Sequence, residues 1–287
     1  MKINLHTHTT WCDGSASVRE MACAALAKGF DVLGFSSHAM LPGDPEDWPL
    51  KNDNIRDYAK DVRAVAEEFK GKLEIRLGVE ADFVPGISFP DRKIYSMIEP
   101  DFIIGSIHYL IAPDGVRVEV DKSPEAFQSA IMEHFGGSVE AFCREYFARE
   151  RQMAEEFDFD IIGHPDLVRK FNEKIGLVDE NAAWYKEEIA KTADVFARSG
   201  KIVEINTGAI SRAWLDDAYP SAEFRALLAA RGVKFILSSD AHFPEALDCA
   251  FDRFYGASRR LESSGVQKVQ GASGAFRAGL TAPRPSR

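Results

Sequence analysis

The sequence predicts an α/β protein in which parallel strands alternate with helices and close, or nearly close, into one barrel. Three observations favour this class. Seven short apolar runs recur between residues 2 and 238, helix-like segments separate them, and the runs are evenly spread. A chain of 287 residues has the length of one large barrel or of two ordinary domains. The even spread favours the single barrel.

The predicted strands are runs dominated by β-branched and other apolar residues, which suit a pleated backbone. In chain order they are residues 2–6 (KINLH), 31–36 (DVLGFS), 73–80 (LEIRLGVE), 101–107 (DFIIGSI), 159–163 (FDIIG), 201–206 (KIVEIN) and 233–238 (VKFILS). The clearest helix-like segments between them are residues 17–29, 54–71 and 138–157. The second begins at Asn54, a common N-cap residue, and ends at Gly71, a common C-terminal stop.

Two segments interrupt this alternation, and the composition changes near the C-terminus. Residues 40–53 contain three prolines and no periodicity, which predicts a loop long enough to act as a lid. Residues 109–120 form two alternating runs around Pro-Asp-Gly, which predicts a hairpin. We predict that residues 1–261 form a single domain. Residues 262–287, rich in Ser, Gly, Ala, Gln and Pro, are predicted to be a weakly ordered tail.

The overall composition is that of a soluble globular protein. Apolar residues make up 45% of the chain and charged residues 28%, and no apolar stretch approaches the roughly 20 residues that a membrane span requires. The N-terminus lacks the apolar segment and cleavage site of a signal peptide. The four cysteines are scattered and form no CxxC pair. This pattern predicts free thiols and a reducing, cytoplasmic location.

The formal net charge of the chain is −10. A negative field of this kind repels polyanions unless a local basic patch offsets it. The basic clusters near the C-terminus, RR at 259–260 and RPSR at 284–287, are short and isolated. We therefore predict neither a nucleic-acid partner nor a membrane partner.

The histidines are concentrated at one position of the predicted fold. Six of the seven come directly after a predicted strand, namely His6, His8, His38, His108, His164 and His242. Three carboxylates occupy similar positions, namely Asp13, Glu80 and Asp240. The remaining histidine, His134, lies in a helix-like segment and is assigned to the helix surface or to helix packing.

The carboxyl ends of parallel strands meet at one mouth of a β/α barrel, so these nine side chains become neighbours there. One histidine at a strand end is more often a hydrogen-bonded structural residue than a ligand. Nine imidazoles and carboxylates at one rim, however, would be poorly solvated without divalent cations, and this donor set suits Zn, Fe or Mn. His6 and His8 are two residues apart on an extended segment, so they point to the same side and can bind one ion. The pattern predicts a metal centre.

Seven motifs resemble, in chain order, those of the polymerase and histidinol phosphatase (PHP) family. They are LHTHTTWCDG, SSHAM, GVEADF, GSIHYL, IIGHPDLVRKF, VEINTGAISR and SSDAH, and the match spans about residues 3 to 243. The resemblance implies a distorted (β/α)7 barrel with three divalent metal ions at the C-terminal ends of its strands. Within the family, GHPDLVRKF and EINTGAISR are most similar to the monofunctional histidinol-phosphate phosphatases. That similarity implies hydrolysis of L-histidinol phosphate to L-histidinol and phosphate, in histidine biosynthesis.

The resemblance also implies how the three ions are held. By position, the sets are His6, His8, Glu80 and Asp240 for the first ion, Glu80, His108 and His164 for the second, and Asp13, His38 and His242 for the third. Asp13 stands where some family members have histidine, a change that affects metal preference. GAISR stands where the branch often has Ser-Gly-Leu-Arg, and Arg212 would align with the arginine of that motif.

The predicted mechanism is attack on phosphorus by a metal-bridging hydroxide, because two ions about 4 Å apart activate a water and neutralise the phosphoryl oxygens. Arg169 and Arg212 are the predicted phosphate-binding residues, since both follow strand ends and a guanidinium pairs bidentately with phosphate. Lys170 is a weaker candidate. The candidate proton donors for the leaving group are Asp240, His242 and a metal-bound water. Cys12 is predicted to be a packed residue and not a nucleophile.

Histidinol phosphate also carries a cationic amine and an imidazole, so a carboxylate or an aromatic ring near the mouth should receive that end. The candidates are in the predicted lid, namely Asp44, Glu46, Asp47 and Trp48. Three other functions stay open at this point: a phosphatase for another small phosphate monoester, a phosphodiesterase acting on nucleic acid, and a metal-binding scaffold without activity. The net charge opposes the phosphodiesterase, and the complete set of nine expected ligands opposes the scaffold.

Overall fold

The computed structural model describes residues 1–42, 49–50 and 54–255. The predicted tail, residues 262–287, lies outside the described residues. So do the lid residues proposed to receive the cationic end of the substrate, namely Asp44, Glu46, Asp47 and Trp48.

The fold is built on a seven-stranded parallel sheet, and the predicted barrel is confirmed. In chain order the strands are β1 Ile3–Asn4, β2 Val32–Phe35, β3 Glu74–Asp82, β4 Phe102–Ser106, β5 Tyr109–Ile111, β6 Arg117–Glu119, β7 Ile161–Ile162, β8 Ile202–Asn206 and β9 Phe235–Ser238. The large sheet has the order β1-β2-β3-β4-β7-β8-β9, and each neighbouring pair is parallel. β5 and β6 form the predicted antiparallel hairpin outside this sheet.

The first and last strands close the sheet through backbone hydrogen bonds just beyond their ends. The His8 N–H donates to the Ala241 carbonyl at 2.9 Å, and the Ala241 N–H donates to the His6 carbonyl at 3.3 Å. β1 is shorter than predicted because the Asn4 side chain accepts the His6 N–H at 3.1 Å and so competes with the ladder. The seam therefore lies at the level of the histidines.

Helices and short turns separate the strands. The helices are α1 Val18–Ala27, α2 Ile55–Glu68, α3 Pro124–His134, α4 Val139–Glu156, α5 Asn172–Ile175, α6 Ala183–Ser199, α7 Gly208–Ser211 and α8 Ala222–Ala230. The three helices predicted from the clearest patterns are confirmed as α1, α2 and α4. Ser17 begins α1 with a capping box, because its side chain accepts the Glu20 N–H and Glu20 accepts the Ser17 N–H. No helix in the described part of the chain combines the length and apolar character needed to cross a membrane.

The inside of the barrel is filled by apolar side chains at the end opposite the histidines. Leu5, Val32, Phe102, Ile104 and Ile161 form one buried cluster that comes only from strands and strand ends. The Phe102 ring fits there because two of its neighbours are glycines: a Cβ on either one, in β2 or β3, would clash with the ring. This packed floor supports the opposite rim, where the polar residues lie.

Candidate metal centre

All nine side chains predicted to form the centre meet at one end of the barrel. Glu80, at the end of β3, lies among five of the histidines. Its Oε2 is 3.1 Å from His6 Nε2 and 3.0 Å from His38 Nδ1, and its Oε1 is 3.0 Å from His164 Nε2. His108 Nε2 lies 3.7 Å from the same Oε1. Glu80 therefore contacts one histidine from each of the two ligand sets that the resemblance implies it joins, His6 and His164.

The remaining residues of the set gather around His8. Its Nε2 lies 3.1 Å from Asp240 Oδ1, and its ring stacks on those of His242 and His38 with centroids 4.1 and 4.3 Å away. Asp13 Oδ2 lies 3.0 Å from His242 Nε2, and Asp13 Oδ1 lies 3.8 Å from His8 Nδ1. These distances are short enough for the side chains to bind the same ion.

The described residues contain three groups whose ligand atoms all lie within 4.8 Å of one another. They are His8, Asp13, His38 and His242; His6, His8 and Glu80; and His38, Glu80 and His108. The grouping resembles the sets implied by the family but differs in two respects. His38 belongs to two of the groups, and so does His8. His164 and Asp240 stand outside the three groups, although they contact Glu80 and His8 respectively.

Several buried ligand-type atoms of this centre make no hydrogen bond to any residue that the structure describes. They are His6 Nε2, His8 Nε2 and Glu80 Oε2. A buried polar atom without a partner costs about 1–3 kcal/mol, so three on one side of one centre call for a common partner. Imidazole nitrogen and carboxylate oxygen together are a donor set for divalent transition metals. The residues present therefore fit a metal centre.

The titratable groups of the centre shift one another's pKa values in both directions. Burial opposes the charge of His6 and His108, but the neighbouring carboxylates outweigh it and hold both pKa values well above the ordinary value. Burial and the neighbouring His242 and His38 imidazoles lower the pKa of His8 to about 3, so its ring is neutral at neutral pH, as a metal ligand requires. Burial opposes the charge of Glu80, but the His6, His38 and His108 imidazoles outweigh it and hold the pKa of that carboxyl well below its ordinary value. Glu80 is thus an ionised acceptor.

Two buried carboxylates that the sequence analysis missed lie directly behind the histidines. Glu204 Oε2, from β8, lies 2.9 Å from His6 Nδ1. Asp82 Oδ1, from the end of β3, accepts the His108 N–H at 3.0 Å and lies 2.9 Å from His108 Nδ1. The sequence contains an indication of each. Glu204 is an acidic residue inside the apolar run KIVEIN, and Asp82 follows Glu80 by two residues, so both lie on the same face of the strand.

The centre opens into a cavity of about 440 Å³. Its walls combine residues of the centre with charged residues of the segment that leaves the β5–β6 hairpin. The lining residues are Asp13, His38, His108, Glu119, Asp121, Lys122, Lys170, Arg212, Asp240 and His242. A cavity of this size suits a small molecule with several charged groups.

Arg212 and Lys170 are two of the three cations in this lining, the third being Lys122. Arg212 Nη2 donates to Asp240 Oδ2 at 2.7 Å, and its Nη1 lies 3.1 Å from His242 Nδ1. Lys170 Nζ donates to the Oδ2 and to the backbone carbonyl of Asp121, both at 2.8 Å. Both cations are held in place by carboxylates that border the cavity.

Arg169, the other predicted phosphate-binding residue, points elsewhere. Its guanidinium is buried, with Nε donating to Glu180 Oε2 at 2.7 Å and Nη1 lying 3.6 Å from Asp166 Oδ2. The described residues that line the cavity do not include it. Leu167–Arg169 is a 3₁₀ turn, in which successive side chains point about 120° apart. The Arg169 side chain therefore points into the protein, and the side chain of the next residue, Lys170, reaches the cavity.

Two further predictions concern residues outside the ligand set. Burial raises the pKa of the Cys12 thiol to about 11, so this cysteine is a neutral, packed residue 3.5 Å from His8 Nδ1. His134 lies at the end of α3, where its Nδ1 is 2.8 Å from Asp114 Oδ2. It pairs with the hairpin turn and takes no part in the centre.

Comparison with known proteins places this geometry in context. The chain matches the PHP domain over residues 4–208. A protein named probable histidinol-phosphatase from Deinococcus radiodurans is 34% identical over 266 residues, which cover 92% of this chain and 94% of that protein. Among solved structures, HisK of Listeria monocytogenes has a TM-score of 0.80 at 21% identity and covers 88% of this chain and 100% of its own. Histidinol phosphate phosphatase of Lactococcus lactis, complexed with zinc, L-histidinol and phosphate, has a TM-score of 0.64 at 20% identity, over 93% of this chain and 94% of its own.

Proposed function

The chain belongs to the PHP domain family, and we propose that it is a metal-dependent phosphatase that hydrolyses L-histidinol phosphate to L-histidinol and phosphate, in histidine biosynthesis. The observation that carries this proposal is the composition of one cavity. Five of the nine ligand-type side chains line it, beside the cations Arg212, Lys170 and Lys122. A phosphate monoester presents the complementary charge. The names of the Deinococcus and Lactococcus relatives support the choice of substrate.

We assign three divalent ions, zinc, iron or manganese, to the nine side chains. The residues that would hold them are His6, His8, Asp13, His38, Glu80, His108, His164, Asp240 and His242. The buried nitrogen and oxygen atoms without a hydrogen-bond partner among the described residues support this assignment. When bound, such ions lower the pKa of water and neutralise the charge of phosphoryl oxygens.

Arg212 and Lys170 bind the phosphate group in this proposal, and Lys170 replaces the sequence-predicted Arg169. Asp240 holds the Arg212 guanidinium on the cavity lining, since Nη2 donates to its carboxylate at 2.7 Å and Nη1 to its backbone oxygen at 3.3 Å. Lys170 is held in the same way by Asp121, and an ammonium group has three donors. Two cations held in fixed positions beside the metal ligands can stabilise the negative charge of the phosphoryl oxygens in the transition state without having to move.

The geometry argues against Asp240 as the proton donor to the leaving group. Both oxygens of Asp240 have close partners, since Oδ1 lies 3.1 Å from His8 Nε2 and Oδ2 accepts from Arg212 at 2.7 Å. The Asp240 carboxylate therefore acts as an acceptor that orients its neighbours. His242 is one of the assigned metal ligands, and its Nδ1 lies 2.9 Å from the backbone oxygen of Asp240, so we assign it to the ligand set alone.

The cationic end of the substrate meets the acidic wall that follows the hairpin. Glu119 and Asp121 both line the cavity, and burial does not prevent Asp121 from being ionised, because Lys170 and His108 lower its pKa to about 2. The lining thus offers both charges that the substrate needs, cations for its phosphate and carboxylates for its amine. The predicted lid residues lie outside the described part of the chain and stay candidates for binding the same end.

A panel of phosphate monoesters tests the proposal. Purified protein with measured metal content is assayed with L-histidinol phosphate, the same ester lacking the amine, serine phosphate, a sugar phosphate and a short oligonucleotide. We expect kcat/KM for histidinol phosphate to exceed that for each other compound by at least about tenfold, and chelator treatment to abolish it. Equal rates on all monoesters would contradict the assignment of histidinol phosphate as the substrate. Faster hydrolysis of the oligonucleotide would contradict the assignment of phosphomonoesterase activity.

We also infer a cytoplasmic location, which the cysteines support. Cys12, Cys23, Cys143 and Cys249 are all free thiols, as expected in a reducing compartment. The net charge of −10 and the acidic wall of the cavity both oppose a nucleic-acid substrate. Oligonucleotide binding is therefore expected to be weak at all salt concentrations, without the steep salt dependence of phosphate recognition.

A further inference from the structure

Glu204 has an unusual set of partners for a carboxylate that lines no part of the cavity. It lies on β8, the one strand of the large sheet that supplies none of the nine assigned ligands, and it is fully buried. Its Oε1 accepts the His164 N–H and the Asn206 side-chain amide, both at 2.7 Å. Its Oε2 accepts the Ser238 hydroxyl at 2.6 Å and lies 2.9 Å from His6 Nδ1.

The contact with His6 determines which nitrogen of that ring faces the centre. A carboxylate only accepts hydrogen bonds, so His6 Nδ1 must carry the hydrogen that it donates to Glu204. His6 Nε2 then carries the lone pair of the neutral ring, and it faces Glu80 Oε2 and Asp240 Oδ1 at 3.1 and 3.7 Å. That Nε2 makes no hydrogen bond within the described part of the chain. Glu204 thus presents the lone pair of His6 to the metal side.

The contact with His164 acts on the main chain instead. His164 has a φ of +22°, a left-handed conformation that costs a non-glycine residue free energy. The hydrogen bond from its N–H to Glu204 holds the backbone in this conformation, and His164 Nε2 then lies 3.0 Å from Glu80 Oε1. The residue before it is a glycine because a Cβ there would clash with Ser106 Oγ and approach Glu204.

We propose that Glu204 is a positioning residue that couples two metal subsites, because one carboxylate holds the side chain of His6 and the main chain of His164. These two histidines belong to different ions in the assignment above, and the inference rests on that part of the proposed function. Loss of the Glu204 carboxylate should therefore lower the affinity of the protein for two ions at once. Asp82, which contacts His108 alone among the nine ligands, should affect one ion only.

The test compares three isosteric variants by metal content. Glu204→Gln, Asp82→Asn and Glu188→Gln are loaded with Zn²⁺ and dialysed against graded chelator, and bound metal per chain is measured by elemental analysis. Glu188 is the matched control, since it is also buried but bonds to Arg144 and Arg151 on the outer helices. Loss of a carboxylate behind a metal-bound histidine weakens metal binding about 10–100-fold.

We expect Glu204→Gln to release two ions in one step at about 10–100-fold lower chelator concentration than wild type. Asp82→Asn should release one ion early, and Glu188→Gln should match wild type. In excess Zn²⁺, the KM of Glu204→Gln for histidinol phosphate should return to the wild-type value. Wild-type metal retention in Glu204→Gln, or release of one ion as in Asp82→Asn, would overturn the coupling.

Two further measurements keep the outcome interpretable. If Glu204→Gln does not fold, Ser238→Ala removes one donor to the same carboxylate and should lower metal affinity in the same direction; unchanged affinity in that variant would overturn the proposal. Metal content is measured without substrate. A wild-type protein that binds metal but fails to hydrolyse histidinol phosphate would therefore overturn the proposed function and leave the coupling intact.

Discussion

The two ends of the barrel use the same strands for opposite purposes. On β4, Phe102 packs into the apolar floor, while Ser106, four residues later, donates to Glu80 Oε1 at 2.7 Å in the centre. On β3, Gly78 makes room for Phe102, and Glu80, two residues later, lies among the histidines. Because apolar burial at the floor stabilises the fold, the rim can hold buried polar atoms that have no protein partner. The comparison teaches that stability and function are separated along each strand.

The largest expected effect comes from removing the Glu80 carboxylate at the rim. In Glu80→Ala, the centre loses the group nearest to five histidines, so we expect loss of bound metal and of measurable hydrolysis. The far-UV circular dichroism spectrum should stay unchanged because the floor is untouched. His8→Ala should behave in the same way. Full activity in either variant would contradict the assignment of these two ligands.

The second prediction concerns the floor. Phe102→Ala empties the space between two glycine-containing strands, and a cavity of this kind costs about 3–5 kcal/mol of unfolding free energy. Urea denaturation measures this loss. The fraction that remains folded should keep the metal content of the wild type, and Phe102→Leu, which retains most of the volume, should lose less stability. Early loss of metal in native conditions would show that floor and rim are not separable.

The third prediction separates two arginines that the sequence could not distinguish. Arg212→Ala removes a cation beside the metal ligands and should lower kcat/KM for histidinol phosphate by about a hundredfold, which corresponds to about 2.7 kcal/mol. Arg169→Ala breaks the pairs with Glu180 and Asp166 and should lower the melting temperature while KM stays near that of wild type. The opposite pattern in the two variants would restore Arg169 to the phosphate site.

The smallest expected effect is a pH dependence at the outer side of the rim. Glu150 on α4 is buried, and burial together with the Asp166 charge holds its pKa well above the ordinary value, although the Tyr146 hydroxyl donates to it at 2.9 Å. The folded protein therefore keeps a proton that the unfolded chain releases. Its contribution to stability is complete below about pH 4.3 and is lost as pH rises toward the folded pKa.

Glu150→Gln removes this titration. From pH 5 to pH 7 the wild type should lose stability relative to the variant, by up to about 1.4 kcal/mol per pH unit, as measured by urea denaturation at pH 5, 6 and 7. Parallel stability curves for the two proteins would show that Glu150 is ionised in the fold.

Most of the strands and the nine assigned ligands were predictable because each obeys a local rule. An apolar run indicates a strand, and a histidine at its carboxyl end indicates the rim, as His38 and His108 illustrate. Parallel topology then brings such residues together without any knowledge of their contacts. The hairpin was predictable for a similar reason, since Pro-Asp-Gly marks its turn.

The rest depends on directions that a single sequence does not specify. Arg169 and Lys170 are adjacent and chemically alike, and only the 3₁₀ turn decides which one reaches the cavity. Glu204 looks like an interruption of an apolar strand until the register of β8 places it behind His6. The distances between potential ligand atoms also group these residues differently from the implied ligand sets, because His38 belongs to two groups where the family pattern uses it in one.

The seam of the barrel has a consequence for biosynthesis. The backbone of His6 and His8 is joined to that of Ala241, so the first and last strands are joined by the segments that carry the outermost ligands. During translation, a chain lacking β9 has neither this junction nor Asp240 and His242. The complete set of nine rim side chains therefore comes together only when almost the whole barrel has left the ribosome.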